Sequence, residues 1–162
     1  VTESVTELAI IGENTPLDGL HSFVCDIDEL VLLLPAGHAL THAERVDFAQ
    51  AASLDLIGLS RSTSLMRQTA ALAESIGMSL KVRVQVRNFD AVCRMVAAGI
   101  GAAIVPRAAG APHLASLGLR MVRLVGMPVT RRLLLAMRDP NTLSLPAKAF
   151  VALARRRMEG AG

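Results

Sequence analysis

One repeating pattern constrains this chain more than any other: a short uninterrupted apolar run stopped by Gly or Pro, a polar loop, then apolar residues at helical spacing. Glu7-Leu-Ala-Ile-Ile-Gly12, Glu29-Leu-Val-Leu-Leu-Leu-Pro35, Asp55-Leu-Ile-Gly-Leu59 and Gly101-Ala-Ala-Ile-Val-Pro106 are such runs. Their length and continuity read as strands buried on both faces of a sheet. Leu20 to Cys25 reads as extended, as do Leu119 to Leu124 and Leu133 to Ala136, whereas Leu80, Val82, Val84 and Val86 alternate with Lys81, Arg83, Gln85 and Arg87. That period of two marks a half-exposed strand near a sheet edge.

Between these runs, Asp47 caps a short helix through Ala52, and Leu65, Leu72, Ala73 and Ile76 line one face of a helix closed by Gly77. Asn88 caps a helix bearing Phe89, Val92, Cys93, Val96 and Ala97, closed by Gly99, and Ser144 caps a final helix with Pro146 in its first turn. Arg155, Arg156 and Arg157 in its last turn complement the helix dipole, or contact DNA or a partner. Pro112 to Gly118 reads as a short connection, Gly126-Met-Pro128 as a crossing point and Asp139-Pro-Asn141 as a turn. Strands alternating with helices predict an α/β fold with an open, mostly parallel sheet and helices on both faces. Ligands of such sheets collect beyond the carboxyl ends of the strands, here the loops at Gly12, Ser60, Asn88 and Pro106.

Composition narrows the function. No apolar run reaches the 18 or so residues needed to cross a bilayer, and residues 1–8 lack the basic start and apolar stretch of a secretory signal. Cys25 and Cys93 are far apart, with no second ligand at metal spacing, so a reducing cytoplasm is the expected setting. With four Phe and no Trp or Tyr, stacking surfaces for single-stranded nucleic acid or sugars are scarce. Charge is uneven: residues 1–54 hold one Arg against nine acids, and 55–162 hold sixteen basic residues against five acidic. Complementary packing of solvated faces accounts for the asymmetry first; as a functional reading, positive walls around a cleft favour an anionic ligand.

Catalytic arrangements are not supported. Ser60 or Ser62 with His38 and Asp90 lacks the Gly-x-Ser-x-Gly elbow of a hydrolase. His21, His38, His42 and His113 form no ligand pair on a helix face. Gly99-Ile-Gly101 follows a helix and precedes a strand, the reverse of a dinucleotide loop. Neither an enzyme nor a cofactor or metal is expected.

Several segments, taken in order, resemble the effector-binding domain of LysR-type transcriptional regulators. They are Glu7-Leu-Ala-Ile-Ile-Gly12, where the family usually begins with Asp, Glu29-Leu-Val-Leu-Leu-Leu-Pro35, Gly37-His-Ala-Leu40, and Val96-Ala-Ala-Gly-Ile-Gly101 running into Ile104-Val-Pro106. The helix Leu145 to Leu153, placed after a crossing strand, agrees. Each piece alone is common, and the ordered set covers nearly the whole chain. The resemblance implies a periplasmic-binding-protein-like fold of two Rossmann-like lobes joined by two crossing segments, with a small effector held between them. On that template residues 1–28 and 128–162 form the first lobe, incomplete, and 29–127 the second.

The family's winged helix-turn-helix, linker helix and opening elements have no counterpart at the front, and the chain lacks an initiating Met. An N-terminally truncated sensor is expected, reaching DNA only through a domain absent from this chain. The intact protein is expected to be a cytoplasmic homo-oligomer, a dimer or tetramer, with no membrane partner. The helix Leu65 to Ile76 resembles one member of the helix pair that joins family dimers, which puts Leu65, Leu72 and Ile76 at the interface. Its counterpart falls in the missing part, so a weakened dimer is expected. A solute-binding protein of a transport system shares the fold and is the alternative; a helix-turn-helix or a signal peptide upstream separates the two.

On this template the Ser60 to Ser64 cluster faces the cleft, with Ser60, Ser62 and Thr63 as donors to a carboxylate effector and Arg61 as a bidentate partner. Simple helix capping explains the same hydroxyls, and a solvated surface role explains Arg61. Asn88 either caps its helix or adds a cleft contact. Gly12, Val105 and Pro106 line the cleft with backbone, and Val129 and Thr130 sit at the return crossing.

Overall fold

The computed structural model describes residues 6–160. In chain order come strands β1 (Leu8–Gly12), β2 (His21–Pro35) and β3 (Arg45–Asp47), helix α1 (Phe48–Ala52), β4 (Asp55–Gly58), α2 (Ser64–Ser75) and β5 (Lys81–Gln85). Then follow α3 (Phe89–Ala97), β6 (Ala103–Pro106), the short helical pieces α4 (Arg107–Gly110) and α5 (Leu114–Leu117), β7 (Leu119–Val125), β8 (Thr130–Met137) and α6 (Leu145–Glu159). The chain divides into a smaller unit, 1–27 with 131–162, and a larger one, 28–130.

In the smaller unit β8 lies between β1 and β2, and β1 runs antiparallel to it with Leu8 opposite Met137 and Gly12 opposite Leu133. β1 is therefore an edge strand, and Ile10 is 56% exposed. This corrects the expectation of burial on both faces: apolar continuity encodes hydrophobicity, but a face is covered only where another element packs over it, and Ile10 is left open. The core is Cys25, Leu135, Met137, Leu143 and Ala147, with Phe23 and Val151 packed against it. Ser144 caps α6 by accepting from the Ala147 N–H, while its own N–H and hydroxyl donate to the two Glu7 carboxylate oxygens at 2.7 and 2.8 Å. Farther along α6 the Arg155 guanidinium stacks 4.3 Å over Phe23 and Arg157 reaches Asp26 at 3.4 Å. Two members of the Arg triplet thus bind α6 to its own unit.

The larger unit is built around Leu30, Val31, Leu32, Leu33 and Leu34, every one fully buried. They occupy β2 between β6 and β7, both antiparallel to it, with Leu32 opposite Ile104 on one side and Val122 on the other. β3 runs parallel to β7, β5 parallel to β4, and a parallel bridge from Leu56 to Ala102 joins β4 to the start of β6. So β3, β7, β6, β4 and β5 point one way and β2 alone points the other. The expected mostly parallel sheet is in fact mixed, because β2 enters from the smaller unit. The separate extended pieces Leu20 to Cys25 and Glu29 to Pro35 are one 15-residue strand.

The remaining differences are short elements that carry too little periodicity to be read. β3 is three residues long, and the connection expected at Pro112 to Gly118 is part of a run of helical turns from Arg107 to Leu117. The longer elements follow local chemistry. Asp47 caps α1 through the Ala49 N–H, Thr63 caps α2 through that of Met66, and Asn88 caps α3 through that of Ala91. β5 is the strand with the alternating pattern, exposing Lys81, Arg83 and Gln85 beside half-buried Val82 and Val84. No helix among the described residues is long and apolar enough to cross a membrane.

Candidate functional site

The common direction of β3, β7, β6, β4 and β5 gathers their carboxyl ends on one edge of the larger unit. The loop Ser60–Thr63 follows β4, Asn88 follows β5, Pro106 ends β6 and the segment to Thr130 follows β7. Because β2 runs the other way, its Asp28, Glu29 and Leu30 begin the larger unit on this same edge, with Leu30 in register with Pro106. The strand, loop, helix succession puts the loops after β4 and β5 at the strands' exits, whereas β7 runs on to β8 without a helix.

Within the loop the hydroxyls are already organised. Thr63 Oγ1 donates to the Ser60 carbonyl at 2.8 Å and accepts the Met66 N–H at 3.3 Å, so it serves as the structural cap of α2. The Ser60 and Ser62 hydroxyls lie 3.0 Å apart and share one hydrogen bond, and both residues are exposed. Whichever hydroxyl accepts keeps its own proton to offer a ligand. The Arg67 guanidinium, one turn into α2, donates to the Ser62 carbonyl. Asn88 Oδ1 accepts the Ala91 N–H at 2.8 Å, which commits the oxygen to capping and leaves the amide N–H donors of an exposed residue.

Other candidates separate from this group. Val105 is 2% exposed, with its backbone in register with Val31, so it is a core residue rather than a lining one. Gly12 is buried in the smaller unit, and its carbonyl accepts the Thr15 N–H at 3.0 Å. Arg61 lines a groove of about 330 Å³ along α2, walled by Met66, Arg67, Ala70, Glu74 and Leu80. Val129 and Thr130 are both held by their carbonyls: Val129 accepts the Leu30 N–H at 2.8 Å and Thr130 the Gln68 side-chain amide at 3.1 Å.

The interface expectation for α2 needs correction at Leu65, which is 3% exposed in the core of its own unit. Leu72 also packs against that core, and Ile76, 39% exposed, is the member that meets solvent. Helical spacing groups Leu65, Leu72 and Ile76 on one stripe of α2 but does not tell which of them the unit's own core covers.

Several residues of this edge have no local sequence signal. Glu29 pairs with Arg107 at 2.6 Å, and Asp28 accepts the Ala108 N–H at 3.0 Å, fastening β2 to the start of α4 from about 80 positions away. Gln68 and Arg67 likewise look like ordinary surface residues of α2. Burial pushes both thiols, Cys25 and Cys93, above the usual cysteine range, with Asp26 and Asp90 adding to it, so neither is poised as a reactive thiolate. Among the described residues no group of three or more His, Cys, Asp or Glu is arranged to hold a metal.

The model of the LysR substrate binding domain family matches residues 2–159. A probable RuBisCO transcriptional regulator of Trichormus variabilis is 27% identical over 156 residues, covering 93% of this chain and 46% of that protein. The chain therefore spans about half the length of the curated relatives it matches. The effector binding domain of QuiR in complex with shikimate superposes with a TM-score of 0.85 at 21% identity, covering 96% of this chain and 73% of that one. The CcmR regulatory domain of Synechocystis in complex with 2-PG gives 0.80 at 16% identity, covering 94% and 74%.

Proposed function

The chain belongs to the LysR substrate-binding domain family, and from that membership we propose that it is the ligand-sensing part of a LysR-type transcription regulator. It works by binding rather than catalysis, in the cytoplasm, as part of a homo-oligomer whose contact with DNA lies outside this chain. The two units correspond to the two lobes of such a sensor. The observation that carries the reading is the family match, and the strand order, which puts Ser60, Ser62, Asn88 and Thr130 after the carboxyl ends of β4, β5 and β7, supports it.

The ligand is a small carboxylate. Support comes from the free proton of the Ser60 and Ser62 pair, the Asn88 amide and the arginines at positions 61, 67 and 87 around the same loops. Shikimate, the ligand in the QuiR complex, is itself a carboxylate.

Isothermal titration with shikimate, 2-PG, benzoate and citrate tests the proposal. At least one is expected to bind, and replacing Ser60 and Ser62 together by Ala is expected to weaken it by about tenfold or more, the loss of a hydrogen bond to a charged group. Unchanged affinity in the double variant would remove the loop from the site, and no binding by any acid would end the carboxylate assignment.

A further inference from the structure

Gln68 sits on the second turn of α2, and its side-chain amide donates to the Thr130 carbonyl at 3.1 Å across 62 positions of sequence. A carbonyl can only accept, so the amide must present its nitrogen there, which settles the side chain's orientation. Thr130 is the last residue of the larger unit and the first of β8, the strand between β1 and β2 in the smaller one. The preceding carbonyl, of Val129, is held by the Leu30 N–H where β2 starts its course through the larger unit. The return segment is thus tied to β2 by a backbone bond and to α2 by Gln68.

Arg67, the neighbour of Gln68 on the same helical turn, grips the Ser62 carbonyl of the loop. One turn of α2 therefore holds both the Ser60–Thr63 loop and the entry to β8. Resting on the reading of that loop as the ligand site, we infer that Gln68 is a positioning residue that couples occupancy of the loop to the start of β8. A ligand that settles the loop on α2 fixes the Gln68 amide, and with it the Thr130 carbonyl. A site can bias a distant segment only through contacts that differ between its states, and on this inference that part belongs to the Gln68 bond.

Hydrogen exchange read by mass spectrometry on the chain follows peptides 60–68 and 128–137 separately. In the wild type, whichever of shikimate, 2-PG, benzoate or citrate binds is expected to slow exchange in both. Gln68→Met keeps the length of the side chain without the donor, and Gln68→Glu sets a carboxylate against the carbonyl. Both are expected to keep affinity within about twofold, less than 0.5 kcal/mol, and to keep protection of 60–68 while losing it in 128–137. Retained protection of 128–137 in Gln68→Met overturns the inference.

If no acid slows 60–68 in the wild type, the ligand assignment fails by itself, and the coupling is decided without ligand. Thr63→Ala loosens the first turn of α2 and is expected to speed exchange in 128–137 in the wild-type background but not in Gln68→Met. Additive effects of the two substitutions, or no effect of Thr63→Ala on 128–137, overturn the inference.

Discussion

At Gly101 the space for a side chain is decided by one backbone atom. A Cβ there would lie 2.7 Å from the Asp55 carbonyl oxygen, which also accepts the Ala102 N–H at 3.0 Å. Neither strand can retreat without breaking the bridge between β4 and β6. Gly101→Ala is therefore expected to destabilise the chain by about 1–3 kcal/mol in urea unfolding, a cost of overpacking. Gly37, with nothing within 4 Å of the same position, is the control: Gly37→Ala should be neutral or stabilising by up to about 1 kcal/mol. Equal effects would show that the close approach to Asp55 is relieved by a small shift. At this scale the sequence pointed to the Ser60–Thr63 loop and to Asn88 because hydroxyl and amide residues at a strand's exit advertise themselves locally. It missed Gln68, Arg67, Asp28 and Glu29, whose partners or roles depend on residues brought together only by the fold.

Among the elements, α6 is tied to the flank of β1 by the Glu7 carboxylate on Ser144. The Ser144 backbone N–H, and then its hydroxyl, hold the Glu7 carboxyl below the ordinary glutamate range. The native carboxylate takes up its proton less readily than the unfolded one, so the contact's contribution is fully present above the ordinary glutamate range. It is lost as pH falls through the lowered native value. Glu7→Gln is expected to flatten the acid limb of stability against pH, followed by circular dichroism in urea, with little change in slope near neutrality. An acid limb as steep as the wild type's would show that this carboxylate contributes nothing to it. Helices were the most legible elements, since Asp47, Asn88 and Ser144 cap from within a few residues and α2 shows its period over three turns. Strand partners were not legible. The exposed edge of β1, the reversed direction of β2 and the existence of β3 all depend on pairing between segments far apart in sequence.

For the whole molecule, the two units have separate hydrophobic clusters of very different extent. The smaller is centred on Leu135 and Met137, and the larger spans Leu30–Leu34 and residues of α1, α2 and α3. Calorimetry is expected to resolve two transitions rather than one, the smaller unit melting first. Leu135→Ala should lower only the first and Leu33→Ala only the second, each by about 2–5 kcal/mol for a buried leucine. A single transition displaced by both substitutions would show that the clusters melt as one.

The leucine-rich core of β2 also governs what happens once the larger unit opens. Leu30 to Leu34 are adjacent, apolar and free of charge, the composition that stacks into intermolecular cross-strand aggregates when released from its neighbours. Asp28 and Glu29 on one side and Pro35 on the other then act as gatekeepers, one end by charge repulsion and the other by lacking a backbone donor. The same two carboxylates that fasten β2 to α4 in the folded chain thus guard the segment when it is unfolded.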